Sequence, residues 1–533
     1  MYFQRIKYCI FVLLLGVLFH RESMAQQHET NLYQEAHRPA FHFSPPRGWM
    51  NDPNGMVYYE GEYHLFYQHY PDDKVWGPMH WGHAISTDLV HWENLPIALF
   101  PDSLGYIFSG SAVVDWQNTS GFGVNNQPPL IAIFTYHDMV GEKKGLEKIQ
   151  SQGIAYSNDK GRTWTKYANN PVIPSQGIRD FRDPKVSWDV QHKQWAMTLA
   201  VQDHVEFWVS NDLKNWKHTG DFGKDVGGHG GVWECPDLFP LQVANKQETK
   251  WILIVNINPG SPNGGSGTQY FVGDFDGKTF VLDEKFKENV ANKQGVWLDY
   301  GRDNYAGVTW NDVPEKDGRR IMIGWMSNWD YANQVPTNPW RSACTLPRTL
   351  SLATTEDGYR LLTKPVKETD LLHIATVKPY RIANQVLKSN SSLVPTLGFV
   401  PTLAEVELSF EKPQKNSLIQ LELSNSKGER YLIGYDSEKN QFVSDRTKAG
   451  TNTFSPKFAS TVHVAPRASK QKTVTLKVFF DVASAELFAD NGATVMTDIF
   501  FPTENFTQLR LHVKGSALKI KQLTVTPLQR VWK

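Results

Sequence analysis

The sequence predicts an all-β protein, a five-bladed β-propeller followed by a C-terminal β-sandwich. Three observations carry the prediction. Strand-length runs rich in Val, Ile, Tyr, Phe and Trp, bounded by Gly, Asn, Asp and Pro, dominate the chain, and helical periodicity is nearly absent. A short element recurs as "ISTDLVHW" (85–92), "YSNDKGRTW" (156–164), "VSNDLKNW" (209–216) and "VGDFDGKTF" (272–280): an apolar residue, a turn carrying Asp, then an aromatic. Around residues 356–385 that pattern stops, and beyond it plain alternating strands take over.

Residues 1–25 read as a secretory signal peptide. "MYFQRIK" is a basic start, "YCIFVLLLGVLF" an apolar run too short to span a bilayer, and "SMA" a small-residue cleavage site. Cys9 lies inside the apolar run rather than at the cleavage point, which argues against lipid attachment. No later stretch is long and apolar enough for a membrane span. An exported protein is expected, periplasmic or secreted.

Residues 33–355 are expected to form the propeller. Each Asp-bearing element follows two apolar strands at hairpin distance, such as "MVYYEGEYHLFYQHY" and "DLFPLQVANKQETKWILIVNIN". A fifth pair, "AGVTWNDVPEKDGRRIMIGWMSNW", runs on to "RTLSLATTEDGYRLL". Five antiparallel repeats of about 50–70 residues suit radial repetition better than two stacked sheets. Residues 356–385, charged and Pro-containing, are expected to be a linker. Residues 386–533 carry the alternating strands "AEVELSFE", "LIQLELSN", "TVTLKVFFD" and "LRLHVKG", as expected of a sandwich. With few clustered acids or aromatics, the sandwich reads as a structural or ligand-contacting appendage.

Composition narrows the function. Lys+Arg 55 against Asp+Glu 55 cancels, and no basic run stands out, so nucleic acid and anionic membranes are not expected partners. After processing only Cys235 and Cys344 remain, too few for a disulfide scaffold, and whether they pair is open. The 18 Trp and 20 Tyr fit a large β-core, and their flat faces also suit sugar rings.

Carboxylates recur at the blade entrances. Asp52 in "WMNDPNG" opens blade one, Asp183 in "FRDPKV" blade three and Glu234 in "WECPDLF" blade four, each followed within two residues by Pro. Alone, Asp52-Pro53-Asn54-Gly55 is a type I turn. Three acids at the same phase of a radial repeat, however, converge on one axial pocket, and pooled like charges destabilise unless they are used. Blade two opens with "FSGS" (108–111) and blade five with "DYGRDNYAG" (299–307).

Competing chemistries lack their patterns. There is no HExxH, and His69, His80, His83 and His91 have no ligand spacing, so no metal is expected; three carboxylates holding Ca²⁺ is the weaker alternative. "GGHGGVWE" and "GSPNGGSG" lack a Walker lysine, and no G-x-S-x-G elbow is present. No cofactor is expected. Three acids beside aromatics suit acid–base and nucleophilic work on a glycosidic bond.

"WMNDPNG", "FSGS", "FRDP" and "WECPDLF", in order and at compatible spacing, resemble the invertase, levanase and inulinase group, glycoside hydrolase family 32. The likeness runs from "HFSPPRGWMNDPNG" to "PRTLSL", with a weaker echo at "FFDVASAELFADNG", where Ala483 stands at a position commonly serine. It implies the same propeller and sandwich, and a retaining mechanism. Asp52 would be the nucleophile, Glu234 the acid/base and Asp183 the transition-state stabiliser. Asn51, Gln68, Trp76, Phe108, Ser109, Arg182 and Trp325 fall where the family has its fructose pocket, and Cys235 would be a free thiol beside the acid. "WLDYGRDNYAG" and "WMSNWDYANQVPTNPWRSA" look most like exo-acting levanases and inulinases. The resemblance implies an exo-acting β-fructosidase on fructans, and on sucrose, as monomer or dimer. A fructosyltransferase on the same scaffold and a non-catalytic carbohydrate-binding propeller are the alternatives.

Overall fold

The computed structural model describes residues 32–532 apart from 357 and 415, so the expected signal peptide lies outside the described residues. Five antiparallel sheets follow one another along the chain. Their first strands are Gly48–Tyr59, Tyr106–Val114, Phe181–Asp189, Val232–Gln242 and Tyr305–Thr309. Each touches the first strand of the next blade, and the fifth touches the first, so these strands ring a central axis. The short strand Trp340–Arg341, from the connection between blade five's second and third strands, pairs in parallel with Gly48 and Trp49 and closes the ring.

The repeat seen in the sequence is the hairpin turn between the third and fourth strands. Asp88 accepts from the N–H groups of Val90 and His91, Asp212 from Lys214 and Asn215, and Asp276 from Lys278 and Thr279. The Trp164 and Trp216 indoles donate back to Gly161 and Leu213 carbonyls. A carboxylate that caps two amides and an indole that clamps the bend make the turn self-contained, which is why it is legible locally. The second strand of blade two, Leu130–His137, is buried at every residue, and the other second strands are buried along most of their length, sandwiched between neighbouring blades.

The expected linker at 356–385 is corrected. Gly358–Pro365 is the fourth strand of blade five, paired along Arg348–Thr355. Its alternate residues Tyr359, Leu361 and Thr363 are buried, with Leu361 N–H on the Tyr270 hydroxyl of blade four. Charged residues on the other face hide that two-residue period in composition. After the short helical turn Lys367–Leu372, the sandwich begins at Tyr380–Leu387 rather than at 386, by pairing with Leu518–Pro527. Two six-stranded sheets enclose Val406, Leu408, Phe410, Leu421, Ile433, Val478, Phe480, Leu511 and Leu523.

The view of the sandwich as poor in clustered acids is also corrected. Asp481, Glu486 and Asp498 are buried at the seam with the propeller. His42 bridges Asp481 and Glu486 at 2.7 and 2.8 Å. Arg348 bonds Glu486 and, at 2.9 Å, Asp299. Arg446 bonds Asp303, and His463 bonds Asp498 at 2.7 Å. Asp481, Glu486 and Asp498 lie close together in sequence, but the cations gathered around them come from both domains. Two of them come from the "FFDVASAELFADNG" echo.

Candidate active site

The first strand of every blade is broken by a β-bulge at the same place. Residues 51–52, 108–109, 183–184, 235–236 and 306–307 each stand as a pair opposite a single residue of the second strand. A bulge bends the strand and re-aims the side chains beside it. This corrects the expected turn at Asp52: "NDPNG" lies inside the strand Gly48–Tyr59. Pro184 and Pro236 fit because a bulged residue is released from the hydrogen-bond ladder. Asp183, Cys235 and Ala306 take the left-handed conformation at φ 64°, 44° and 50°. In blade two Gly110 follows the bulge because a Cβ there would lie 2.0 Å from the Ile133 carbonyl oxygen.

The equal phase expected for the three acids is corrected too. Glu234 immediately precedes its bulge, Asp183 is the first bulged residue and Asp52 the second. They meet nonetheless, because each bulge turns its neighbourhood toward the axis. The released backbone groups find side-chain partners: Asp183 N–H donates to Thr135 Oγ1 at 3.0 Å, Cys235 N–H to Asp183 Oδ2 at 3.0 Å, and Asn256 Nδ2 to the Cys235 carbonyl at 2.9 Å.

Asp52 accepts from Ser109 Oγ at 2.8 Å on one oxygen and from Asn51 Nδ2 at 2.9 Å on the other. Asn51 is held by the Trp49 indole at 2.7 Å. Glu234 accepts from Arg182 through Nε (3.2 Å) and Nη2 (3.0 Å) on one oxygen and from the Tyr305 hydroxyl on the other. Arg182 is steadied by Asp180 at 2.6 Å. The Cys235 thiol lies 3.6 Å from both Asp52 and Asp183, joining the two carboxylates. Both cysteines are free and buried.

The electrostatics follow from pooling. Burial raises the Asp52 pKa, and the charge of Glu234 raises it further, against the hydrogen bonds from Asn51 and Ser109. Asp183 is pushed up to about 7 by burial, with Arg182 pulling down and Glu234 and Asp52 pushing up. Burial also drives the Cys235 thiol and Tyr305 phenol well up, so both stay protonated beside the carboxylates.

Phe108 lies flat on His137 at 4.2 Å between ring centres, and Trp76 meets its edge at 6.2 Å. Gln68 is buried opposite the Asn51–Asp52 bulge, and its amide nitrogen has no partner among the described residues. Trp325 is corrected from pocket wall to support: it is fully buried, packed on Trp49, Trp329 and Tyr305. Sequence reasoning missed Tyr305 and Thr135. Tyr305 holds the same place before its bulge as Glu234 and Arg182, so register alone would have found it. Below the acids the axis is closed. Lys185 bonds the Thr309 carbonyl and lies 3.3 Å from Asp237, and Asn311 bonds the Ala112 and Val186 carbonyls at 2.8 and 2.9 Å. Among the described residues, one grouping within metal-ligand reach, His204, Glu206 and Asp221, sits on outer strands of blade three, away from this pocket.

Comparison with known proteins adds a family. "Glycosyl hydrolases family 32 N-terminal domain" matches residues 42–365, and "Glycosyl hydrolases family 32 C terminal" matches 376–527. The chain is 46% identical to a levanase of Bacillus subtilis (strain 168) over 98% of this chain and 74% of that protein. It is 38% identical to an extracellular exo-inulinase of Aspergillus niger, over 94% of this chain and 96% of the other. The crystal structure of an exo-inulinase from Aspergillus awamori superposes with a TM-score of 0.85 at 36% identity, covering 94% of this chain and all (100%) of that one. A β-fructofuranosidase from Schwanniomyces occidentalis, complexed with fructosyl-erythritol, gives 0.82 at 32% identity, covering 93% and 98%.

Proposed function

The chain belongs to glycosyl hydrolase family 32, and we propose that its axial pocket removes terminal β-D-fructofuranosyl residues from fructans by double displacement with retention. The protein is a glycoside hydrolase, an exo-acting β-fructosidase of the levanase and inulinase kind. The observation that carries the catalytic reading is the convergence of Asp52, Asp183 and Glu234 from three blades, each fixed by its own hydrogen bonds.

Asp52 attacks the anomeric carbon of the terminal fructosyl unit. Ser109 and Asn51 favour its ionised form and leave it one orientation. Glu234 gives a proton to the departing glycosidic oxygen, and the shortened fructan leaves. Water then gives its proton to Glu234 and attacks the fructosyl–Asp52 ester, restoring both carboxyl groups. Arg182 and Tyr305 keep Glu234 fixed through both steps. Asp183 accepts sugar hydroxyls and stabilises positive charge developing on the ring. The closed axis supports exo action, because a pocket with a floor admits a chain end. Sucrose, which ends in the same fructosyl unit, is a substrate on this reading.

The expected signal peptide and the extracellular relatives support export. No helix among the described residues is long and apolar enough to cross a membrane.

Product analysis on levan and inulin tests the proposal. Fructose should be the sole early product, released as the β-anomer before mutarotation. Initial α-fructose by NMR would mean inversion, and a ladder of oligosaccharides with little fructose would rule out exo action.

A further inference from the structure

The far mouth of the propeller carries a second cavity, of about 620 Å³. Its lining includes Tyr58, Trp116, Trp188, Asn311, Asp312 and Arg320. Tyr58 and Trp188 stand near the ends of the first strands whose bulges build the catalytic pocket. Five or six residues along a strand at about 3.3 Å each place this cavity roughly 15–20 Å from the acids. Asn311, Lys185 and Asp237 lie across the axis between, so the two cavities are separate sites rather than ends of one tunnel.

The cavity is built for a ligand that is neutral, flat-faced and rich in hydroxyls. Trp116 is 55% exposed, yet its indole is fixed: Nε1 donates to Asp312 Oδ1 at 2.9 Å and the ring leans on Tyr59 at 5.8 Å. A large aromatic held rigid in water is poorly explained by the core, and serves as a preorganised platform. Trp188 is half-buried, braced by Trp195 at 5.0 Å, and its indole N–H makes no hydrogen bond among the described residues. Arg320 lies over the Phe239 ring at 5.0 Å and, among the described residues, makes one long hydrogen bond, 3.4 Å to the Trp310 carbonyl, which leaves donors for a ligand. Asp312 has spare lone pairs beyond the bonds from Trp116 and the Val114 N–H. Glu60, Asp312 and Glu315 outnumber Arg320, which disfavours an anion. Aromatic faces with donors and acceptors around a cavity of mixed polar and apolar lining suit stacked sugar rings.

We propose that this cavity is a second, non-catalytic carbohydrate site that holds an inner segment of a fructan while the axial pocket trims chain ends. The identity of the sugar rests on the fructosidase reading; the existence of the site rests on the cavity alone. Affinity electrophoresis of the full chain through gels containing levan, inulin or dextran tests it, with hydrolysis of sucrose and of each polymer measured separately. Native protein should be retarded by a fructan. Trp116→Ala should weaken that retardation roughly 3–10-fold, the range expected for loss of one aromatic contact. Its rate on sucrose, which needs only the axial pocket, should stay within twofold and shows that the variant folds. Equal retardation of the variant and native protein, or none of native protein by either fructan it hydrolyses, would overturn the site. Trp116-dependent retardation by a polymer the enzyme does not hydrolyse would keep the site and reject its fructan assignment.

Discussion

The axial pocket and the domain seam both bury several carboxylates, on opposite electrostatic plans. At the seam every acid meets a cationic partner. His42 is raised to about 9 against burial by its bonds to Asp481 and Glu486, both of which are lowered despite burial. Asp498, opposed by burial, is held down to about 2 by His463 and Arg446. In the pocket Arg182 is shared by Glu234 and Asp183, Asp52 has only neutral hydrogen-bond donors, and Asp52 and Asp183 are raised. Asp303, beside Asp498, is the seam's exception, raised by burial despite Arg446; elsewhere in the seam charge is satisfied by the fold, whereas charge in the pocket awaits a substrate. Unrelieved like charge is the mark of a working site, and it is bought with stability.

Asp52→Asn should show the pocket's plan most clearly. Loss of the proposed nucleophile should cut kcat by at least about 10⁴-fold. The thermal midpoint at neutral pH should hold or rise, since one repelling charge is gone. Wild-type turnover in a folded variant would remove Asp52 from its role.

Glu234→Ala should lose about 10²–10⁴-fold on fructans, the usual contribution of a general acid. An aryl fructoside, whose leaving group needs little protonation, should retain much of its glycosylation rate in single-turnover assays. Equal losses on both substrates would assign Glu234 another task.

Glu486→Gln should do the reverse of Asp52→Asn. It leaves His42 and Arg348 buried without their shared carboxylate, at a cost of about 3–5 kcal/mol. Chemical denaturation should register that loss while kcat per folded molecule on sucrose stays near native. An unchanged denaturation midpoint would show that the seam does not depend on charge.

The smallest effect concerns pH and has opposite signs in the two regions. The folded pKa of Asp183 lies above its unfolded value, so its protonation favours folding at low pH, and that contribution is lost as pH rises through about 7. For Asp498, lowered when folded, the contribution is present above the ordinary carboxylate range and lost as pH falls toward about 2. Asp183→Asn should therefore raise the melting temperature more at pH 8 than at pH 4. Equal shifts at both values would mean that Asp183 carries no pooled charge.

The sequence by itself determined the repeat and the sandwich strands and singled out three candidate acids. Each of those signals is local: Asp88 or Asp212 caps amides two or three residues away, and "NDPNG" is one contiguous motif. Tertiary structure alone decided how the acids meet. Bulges opposite Gln68, Leu199 and Val255 bring Asp52, Asp183 and Glu234 together from three different strand positions, whereas the sequence repeat suggests one shared phase. Tertiary structure also assigned Tyr305 to Glu234, moved Trp325 from wall to support, and gathered Asp481 and Glu486 around His42, more than 400 residues away. The physical reason is range. Turn and strand preferences act within a few residues, while a carboxylate's pKa and partner depend on which distant strands share its burial.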